Sequence, residues 1–121
     1  MPETARILIV DDEPETIHLL QTLLSSLDAE IDEANSAEEA LPMIHPDRYD
    51  LLLTDLKMDQ MDGIELMREA LRVDPDLTII MMTGHATIAT AVEAMREGAY
   101  HFLTKPFNPR EVQIFVEKAL G

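Results

Sequence analysis

The chain alternates between short apolar runs and stretches in which apolar residues recur every three or four positions. Short apolar runs are typical of buried strands, and the wider spacing is typical of helices with one buried side. Five strands are predicted, at residues 7–10, 30–34, 51–54, 79–82 and 100–104. Regular alternation of strand and helix patterns predicts a parallel α/β sheet with helices on both faces.

The second predicted strand, residues 30–34, is weaker than the others because acids alternate with apolar residues along it. Successive side chains of a strand point to opposite faces, so this alternation indicates one solvated face. A strand of this kind is expected at an edge of the sheet.

The first two of five predicted helices have clear beginnings. The first begins at Pro14, because proline suits a first helical position. The second follows a capping box at residues 36–39 and is expected to run to Pro46. The residues expected to face the core are Ile17, Leu20, Leu24 and Leu27 in the first helix, and Ala37, Ala40, Leu41 and Ile44 in the second.

The other three helices are predicted from similar signals. The third runs from about residue 63 to residue 74, and the fourth from about 86 to 97, where Gly98 ends it. The fifth begins with the cap, proline and acid of residues 108–111. Their core-facing residues include Met67, Ala70, Leu71, Val112, Phe115, Val116 and Ala119.

Length and charge restrict the domain count and the class of partner. The 121 residues fit a single domain, 1–121. The formal net charge is −15, which repels phosphate groups, so direct binding of nucleic acid or of an anionic membrane is not expected. Divalent cations and basic protein partners are expected instead.

Three features favour the cytoplasm. The chain has no cysteine, so disulfides and thiolate metal sites are excluded. Residues 1–6 lead into a four-residue apolar run that is too short and wrongly flanked for a signal peptide. No apolar run approaches the roughly 20 residues that span a bilayer.

Four of the predicted strands end in reactive polar side chains. These are Asp11 and Asp12 after the first strand, Asp55 after the third, Thr83 after the fourth and Lys105 after the fifth. In an open α/β sheet, ligands bind in the crevice beyond the carboxyl ends of the strands. The sequence therefore predicts a single crevice with three carboxylates, a hydroxyl and an ammonium. These groups could hold Mg²⁺ and support transfer of a phosphoryl group.

The three acids allow two interpretations. Asp11 and Asp12 repel each other unless a cation offsets their charge, and Mg²⁺ is a hard cation that prefers oxygen ligands. Asp55 can attack phosphorus and form an aspartyl phosphate. Alternatively, one of the paired acids caps the first helix and Asp55 caps a turn, in a loop where Gly63 supplies a difficult backbone angle.

Thr83 and Lys105 complete the phosphoryl-transfer interpretation. The ammonium of Lys105 would neutralise the equatorial oxygens, and the hydroxyl of Thr83 can donate a hydrogen bond to one of them. Taken singly, Thr83 is more often a strand-end residue and Lys105 a surface lysine. Pro106 stiffens the turn that orients Lys105, and the bond between them is compatible with a cis isomer.

The motifs at these strand ends resemble the receiver domain of bacterial two-component response regulators. They are ILIVDDE at residues 7–13, DLKMDQMDG at 55–63, TG at 83–84 and GAYHFLTKPF at 98–107. The resemblance implies a flavodoxin-like, doubly wound sheet of five parallel strands in the order 2-1-3-4-5, with five helices. That order makes the first and third strands neighbours, which brings Asp11, Asp12 and Asp55 together.

The resemblance also implies the chemistry of the site. Asp55 would accept a phosphoryl group from a phosphohistidine of a sensor histidine kinase. Asp12, Asp55 and the backbone carbonyl of Lys57 would ligate Mg²⁺, while Asp11 would act mainly through water.

A switch is implied by two further residues. Thr83 and Phe102 match the family's switch pair, in which the hydroxyl moves toward the phosphoryl group and the aromatic ring swings inward. The added dianionic group would thereby repack the face formed by the fourth helix, the fifth strand and the fifth helix. A partner, an output domain or a second copy of the chain would dock there.

A narrower resemblance is to the receivers of sigma-54-dependent transcription activators, carried by residues 83–107. It implies regulation of transcription, and either a longer regulator with an ATPase and a DNA-binding domain or a stand-alone one. Asp59 stands where most members have proline, and His101 where the subgroup has aspartate. Lys57 and His85 occupy positions that tune hydrolysis of the aspartyl phosphate, so a modified lifetime is expected.

Three other functions fit the sequence less well than a receiver does. A haloacid-dehalogenase-type phosphatase would carry Asp-x-Asp after the first strand, whereas the acids here are adjacent at 11 and 12. A nucleotide or flavin binder needs a Gly-rich phosphate loop there, and residues 11–14 would repel phosphate. A degenerate receiver is disfavoured because all five site positions are filled. A switch that assists its own phosphorylation and dephosphorylation, without turning over an external substrate, is the leading hypothesis.

Overall fold

Residues 4–57, 61–84 and 88–121 are described by the computed structural model of the protein. Within them, five parallel strands form a sheet in the order β2-β1-β3-β4-β5: β1 (Ala5–Val10), β2 (Ala29–Ala34), β3 (Leu51–Asp55), β4 (Thr78–Thr83) and β5 (His101–Thr104). The helices of this part of the chain are α1 (Pro14–Leu23), α2 (Ala37–Ala40), α3 (Gly63–Val73), α4 (Ile88–Glu97) and α5 (Pro109–Leu120). The predicted fold class and strand order are confirmed.

The sheet separates two apolar clusters, because side chains alternate between the two faces of each strand. Leu8 and Val10 of β1 pack on the side of α2, α3 and α4, while Ile7 and Ile9 pack on the side of α1 and α5. All four side chains are fully buried. Strands buried on both faces read as continuous apolar runs, which is why β1, β3 and β4 were recognisable from the sequence.

β2 lies at an edge of the sheet, as its alternating acids predicted. Its Glu30, Asp32 and Glu33 are exposed, whereas Ala34 is buried. Charged side chains on an edge strand discourage pairing with the edge of another sheet.

α2 is much shorter than predicted. It ends at Ala40 and is followed by a single 3₁₀ turn, Leu41–Met43, instead of continuing to Pro46. Pro42 is the physical reason, because its nitrogen carries no hydrogen to donate to the helical carbonyl four residues earlier. The capping box is present, with the backbone N–H of Glu39 donating to Ser36 Oγ at 3.0 Å.

The other helix boundaries follow the predictions more closely. α1 begins at Pro14 but ends at Leu23, so Leu24 is buried from the turn that follows. The predicted first residues of α4, at 86–87, lie outside the described part of the chain. Gly98, which follows α4, has a φ of 118°, the left-handed region expected of a helix-ending glycine.

α5 has the predicted cap. The backbone N–H of Glu111 donates to Asn108 Oδ1 at 3.1 Å, and Pro109 occupies the first helical position. Across the described residues, none of the helices has the length and apolar character required to cross a membrane.

Candidate functional site

The carboxyl ends of β1, β3, β4 and β5 meet at one edge of the sheet. In the register of the strands, Asp55 pairs with Met82 and Thr83 pairs with Thr104. The crevice at this edge has a volume of about 340 Å³ and is lined by Asp12, Glu13, Asp55, Lys57, Thr83, Gly84 and Lys105. The structure thus brings the reactive residues that end four different strands into one place.

The three acids form a compact carboxylate cluster. One oxygen from each of Asp11, Asp12 and Asp55 lies within 4.8 Å of the others. Asp11 is fully buried, Asp55 is 6% exposed and Asp12 lies at the surface. The backbone N–H of Glu13 donates to Asp11 Oδ1 at 2.9 Å and so orients that carboxylate. An all-oxygen donor set at this spacing suits a hard divalent cation such as Mg²⁺.

Lys105 places its ammonium among the carboxylates. Its Nζ lies 2.8 Å from Asp11 Oδ2, 3.4 Å from Asp55 Oδ2 and 3.4 Å from Glu13 Oε1. The backbone N–H of Lys105 donates to the carbonyl of Thr83 at 2.9 Å, which ties the lysine to the end of β4. The peptide bond between Lys105 and Pro106 is cis. Lys105 is therefore a residue of the crevice and not a surface lysine.

The pKa values of two site residues are shifted. Burial raises the pKa of Asp55, and repulsion from Asp11 raises it further, while attraction to Lys105 and the N–H of Lys57 only partly oppose this. Burial by itself would lower the pKa of Lys105, but its hydrogen bond to Asp11 and its attraction to Asp11 and Asp55 outweigh burial and raise it. Lys105 is thus charged at neutral pH, and an ionised Asp55 would be stabilised by additional positive charge.

Gly63 packs directly against the backbone of Asp55. A Cβ atom at position 63 would overlap the carbonyl oxygen of Asp55 and approach Met81 Sδ to 2.9 Å. The backbone N–H of Gly63 donates to the carbonyl of Leu56 at 2.8 Å. The prediction that Gly63 supplies a difficult backbone angle is wrong, since positive φ among the described glycines occurs at Gly98. Close approach of two backbone segments is the reason for glycine at position 63.

Of the predicted switch and tuning residues, Thr83 and Lys57 line the crevice. Thr83 is 1% exposed at the end of β4, and Phe102 is partly buried against the apolar cluster beneath α3 and α4. Lys57 is exposed, and its backbone N–H lies 3.4 Å from Asp55 Oδ1. His85 and Asp59 lie outside the described residues.

His101 faces the opposite side of β5 from Phe102. Its ring stacks on Phe115 of α5 with 3.7 Å between the ring centroids. Its Nδ1 accepts a hydrogen bond from the backbone N–H of Phe102 at 2.8 Å. The residue that departs from the subgroup pattern is thus packed between β5 and α5.

The contacts of three acids were missed by the sequence reasoning. Glu13 contacts Lys105, and Glu38 of α2 accepts a hydrogen bond from the backbone N–H of Met61 at 2.9 Å. No local pattern marks these contacts, because they join residues 92 and 23 positions apart. Asp62 caps α3, with its Oδ1 accepting from the N–H of Glu65 at 2.9 Å, and the Asp-x-x-Glu spacing could have revealed it.

The elements that form the face of α4, β5 and α5 carry several exposed apolar side chains. They are Ile88, Val92 and Met95 of α4, Tyr100 before β5 and Ile114 of α5, with Ile88 exposed to 85%. This is the face on which the sequence predicted docking of a partner or a second copy.

The fold and the crevice define a class of protein: doubly wound α/β domains with an acidic pocket and a lysine at the carboxyl ends of the strands. A family model described as "Response regulator receiver domain" matches residues 7–117. The chain belongs to this family, so the predicted recognition is confirmed, including the resemblance to receivers of sigma-54-dependent transcription activators. Family membership favours the receiver over the phosphatase and nucleotide-binding alternatives.

Similar proteins support this assignment. The chain is 36% identical over 116 residues to the transcriptional regulatory protein GlrR of Escherichia coli K12, covering 96% of the chain and 26% of that protein. It is 39% identical over 118 residues to the regulatory protein AtoC of the same strain, covering 95% of the chain and 25% of that protein. A CheY-like receiver domain from Methanospirillum hungatei superimposes with a TM-score of 0.90 at 32% identity, covering 98% and 94% of the two chains.

The chain therefore spans about a quarter of the length of the curated relatives that it matches.

Proposed function

We propose that the protein is a phosphorylation-dependent switch, which accepts a phosphoryl group on Asp55 from the phosphohistidine of a sensor histidine kinase. The observation that carries this proposal is the position of Asp55. Its carboxylate belongs to the cluster with Asp11 and Asp12 and lies 3.4 Å from the ammonium of Lys105. An almost buried acid that belongs to a carboxylate cluster suited to a cation, and that lies beside a lysine, is suited to nucleophilic attack on phosphorus.

Mg²⁺ fits the donor set of the crevice. Asp12, Asp55 and the backbone carbonyl of Lys57 would hold the ion, and Asp11 would act mainly through water. Bound there, Mg²⁺ would neutralise charge on the phosphoryl oxygens. The raised pKa of Asp55 supports this assignment, because a second cation would favour the ionised carboxylate that attacks phosphorus.

The chain's own residues carry the transfer. A carboxylate oxygen of Asp55 forms a bond to phosphorus while the bond from phosphorus to the histidine nitrogen breaks, and the imidazole leaves with that electron pair. The ammonium of Lys105 offsets the negative charge of the transferred group, and the hydroxyl of Thr83 donates to one of its oxygens. In dephosphorylation, water attacks phosphorus, the bond between phosphorus and the Asp55 oxygen breaks, and inorganic phosphate is released. No external substrate is turned over.

The output is a change of surface. Thr83 moves toward the phosphoryl group, the ring of Phe102 swings inward, and the face formed by α4, β5 and α5 repacks. The exposed apolar residues of that face are suited to a second copy of the chain, an output domain or a partner protein. We place this switch in the cytoplasm. There it would regulate transcription without itself contacting nucleic acid or a membrane.

Two residues are proposed to set the lifetime of the aspartyl phosphate. Lys57 lies at the mouth of the crevice, and His85 is included by its position in the sequence. Neutral substitutions at each position should change the decay rate of the phosphorylated protein, and unchanged rates would exclude this role.

Intact mass spectrometry tests the central step. The protein is incubated with Mg²⁺ and acetyl phosphate, beside an Asp55→Asn variant and a sample without Mg²⁺. A single phosphoryl adduct on the parent, absent from both controls, is expected. If no adduct forms, binding of the beryllium fluoride mimic shows whether the site is competent but its phosphate short-lived. Failure of both experiments would support a degenerate receiver.

A further inference from the structure

The segment between β3 and α3 follows Asp55 directly and contains no proline. Its sequence from Leu56 to Asp62 is LKMDQMD, so no ring fixes a backbone angle along it. The described residues at its two ends are held by hydrogen bonds and packing. Of the segment itself, Leu56, Lys57, Met61 and Asp62 are described.

The end of the segment nearest α3 is in contact with the backbone of Asp55. Gly63 packs on the carbonyl oxygen of Asp55, and its N–H donates to the carbonyl of Leu56 at 2.8 Å. The N–H of Leu56 in turn donates to the carbonyl of Met82 at 2.7 Å. A displacement of Gly63 would therefore displace Asp55 relative to β4.

Glu38 of α2 holds the residue two positions before Gly63. Its Oε2 accepts a hydrogen bond from the backbone N–H of Met61 at 2.9 Å, across 23 positions of sequence. The side chain of Met61 packs against the apolar cluster beneath α2, α3 and α4, so both the backbone and the side chain of this residue are held. A hydrogen bond to a charged acceptor is stronger than one between neutral groups.

The neighbouring Glu39 makes different contacts from Glu38, although both lie in the same short helix. Its Oε1 accepts from the backbone N–H of Asn35 at 2.8 Å, and its own N–H donates to Ser36 Oγ. Glu39 thus fixes the start of α2, while Glu38 reaches away from α2 to the segment after β3. Two adjacent acids with equal charge but different partners give a matched pair for experiment.

We infer that Glu38 is a positioning residue for the phosphoryl-acceptor site: it anchors Met61, and through Gly63 it keeps Asp55 in place for Mg²⁺ and the phosphoryl group. This inference rests on the proposed function of Asp55. Groups that orient the ligands of a metal are commonly worth a tenfold or larger factor in affinity. Loss of the anchor should weaken binding of Mg²⁺ without unfolding the domain, because Glu38 is exposed.

The experiment compares Glu38→Ala, Glu38→Gln and Glu39→Ala with the parent protein. Mg²⁺ affinity is measured by isothermal titration calorimetry, since the chain has no tryptophan to report binding by fluorescence. Amide hydrogen exchange at Met61 and Gly63 is followed without Mg²⁺, and urea unfolding shows that each variant is folded. The rate of phosphorylation by acetyl phosphate is measured on the same samples.

Glu38→Ala should weaken Mg²⁺ binding roughly tenfold, slow phosphorylation and accelerate exchange at Met61. Glu38→Gln keeps an acceptor oxygen, and its Mg²⁺ affinity should lie within about twofold of the parent's. Its hydrogen bond from Met61 lacks only the negative charge of the acceptor. Glu39→Ala removes the same charge one position away and should leave Mg²⁺ affinity unchanged.

Equal Mg²⁺ affinities for Glu38→Ala and Glu39→Ala would overturn the inference, even if exchange at Met61 became faster. So would a Glu38→Gln variant as impaired as Glu38→Ala, because the effect would then come from charge alone. A parent protein that binds neither Mg²⁺ nor a phosphoryl group would instead overturn the proposed function. The two failures are therefore distinguishable.

Discussion

Lys105 lies closer to Asp11 than to Asp55, since its Nζ is 2.8 Å from Asp11 Oδ2 and 3.4 Å from Asp55 Oδ2. Asp11 is fully buried, and a buried carboxylate without a positive partner is strongly unfavourable. The ammonium therefore first compensates the most buried charge of the crevice. A phosphoryl group on Asp55 would attract the same ammonium, so Lys105 has both a structural and a chemical task.

Lys105→Met should destabilise the domain. The methionine fills similar space but leaves Asp11 and Asp55 without their ammonium, and we expect a loss of about 1–3 kcal/mol in the free energy of unfolding at pH 7. Urea denaturation measures this, with Lys118→Met on the exposed side of α5 as the control. Added Mg²⁺ should restore part of the loss by mass action. Equal stabilities of the two variants would contradict the structural task of Lys105.

Asp55→Asn should stabilise the domain at neutral pH in the absence of Mg²⁺. Burial and repulsion from Asp11 raise the pKa of Asp55, so its ionised form weakens the fold. The advantage of the variant should be absent at a pH below the ordinary pKa of aspartate, appear as pH rises through the raised pKa, and persist above it. We expect a gain of about 1 kcal/mol in the free energy of unfolding at pH 7, a size typical of stabilising single substitutions.

Stability curves for the parent and for Asp55→Asn, measured between pH 3 and pH 8, test this. Saturating Mg²⁺ should reverse the order, because the cation stabilises only the protein that binds it. A variant less stable than the parent at pH 7 without Mg²⁺ would show that the charge of Asp55 is well compensated by Lys105.

Gly63→Ala should be costly, whereas Gly84→Ala should not. A Cβ at position 63 would overlap the carbonyl oxygen of Asp55, while one at position 84 would have its nearest contact at 3.7 Å, to Lys105 Cβ. Overpacking of this kind costs about 1–3 kcal/mol, and an ordinary contact costs little. Thermal unfolding of both variants checks the difference. A tolerated alanine at position 63 would mean that the backbone beside Asp55 moves freely.

Tyr49→Phe should lower stability in a manner that depends on pH. Tyr49 is buried, and its hydroxyl donates to Asp32 Oδ2 at 2.6 Å. Burial, and then this hydrogen bond, raise the pKa of Tyr49 above 10.0. The neutral phenol should contribute about 1 kcal/mol at pH 7. That contribution is present below the ordinary pKa of tyrosine and is lost as pH rises through the raised value.

Guanidinium unfolding at pH 7 and pH 10.5 measures this effect, with Tyr100→Phe as a control at a half-exposed position. The gap between the parent and Tyr49→Phe should narrow at the higher pH. A gap that stays constant would mean that the phenol has the same pKa in the folded and the unfolded protein, so that folding does not raise it.

Thr83→Ala should separate phosphorylation from the switch. Thr83 is 1% exposed at the end of β4, and Phe102 lies on the adjacent strand. Without the hydroxyl, Asp55 still accepts the phosphoryl group, but the ring of Phe102 should keep the NMR signals of the unphosphorylated protein. Thr78→Ala, at the opposite end of β4, should behave as the parent does. If the Phe102 signals of phosphorylated Thr83→Ala shifted as they do in the phosphorylated parent, Thr83 would not be part of the switch.

Much of the fold could be read from the sequence. Residues 7–10 and 79–82 are apolar throughout, and 51–54 are apolar except for Thr54, because both faces of those strands are buried, and the acids of 30–34 mark an edge. Local chemistry also marked Pro14, Gly98 and the cap at Asn108, because each acts on the backbone within a few positions. The strand order came from resemblance, since periodicity does not say which strands are neighbours.

The sequence by itself determined which residues would stand at the ends of the strands, and thus the chemical content of the crevice. Tertiary structure alone decided that Lys105 lies nearest Asp11, that Gly63 packs on the carbonyl of Asp55 and that Glu38 reaches Met61. Sequence patterns report local backbone preference and burial. Distances between residues far apart in the chain depend instead on how the helices pack against the sheet. That packing is determined by all the contacts of the core.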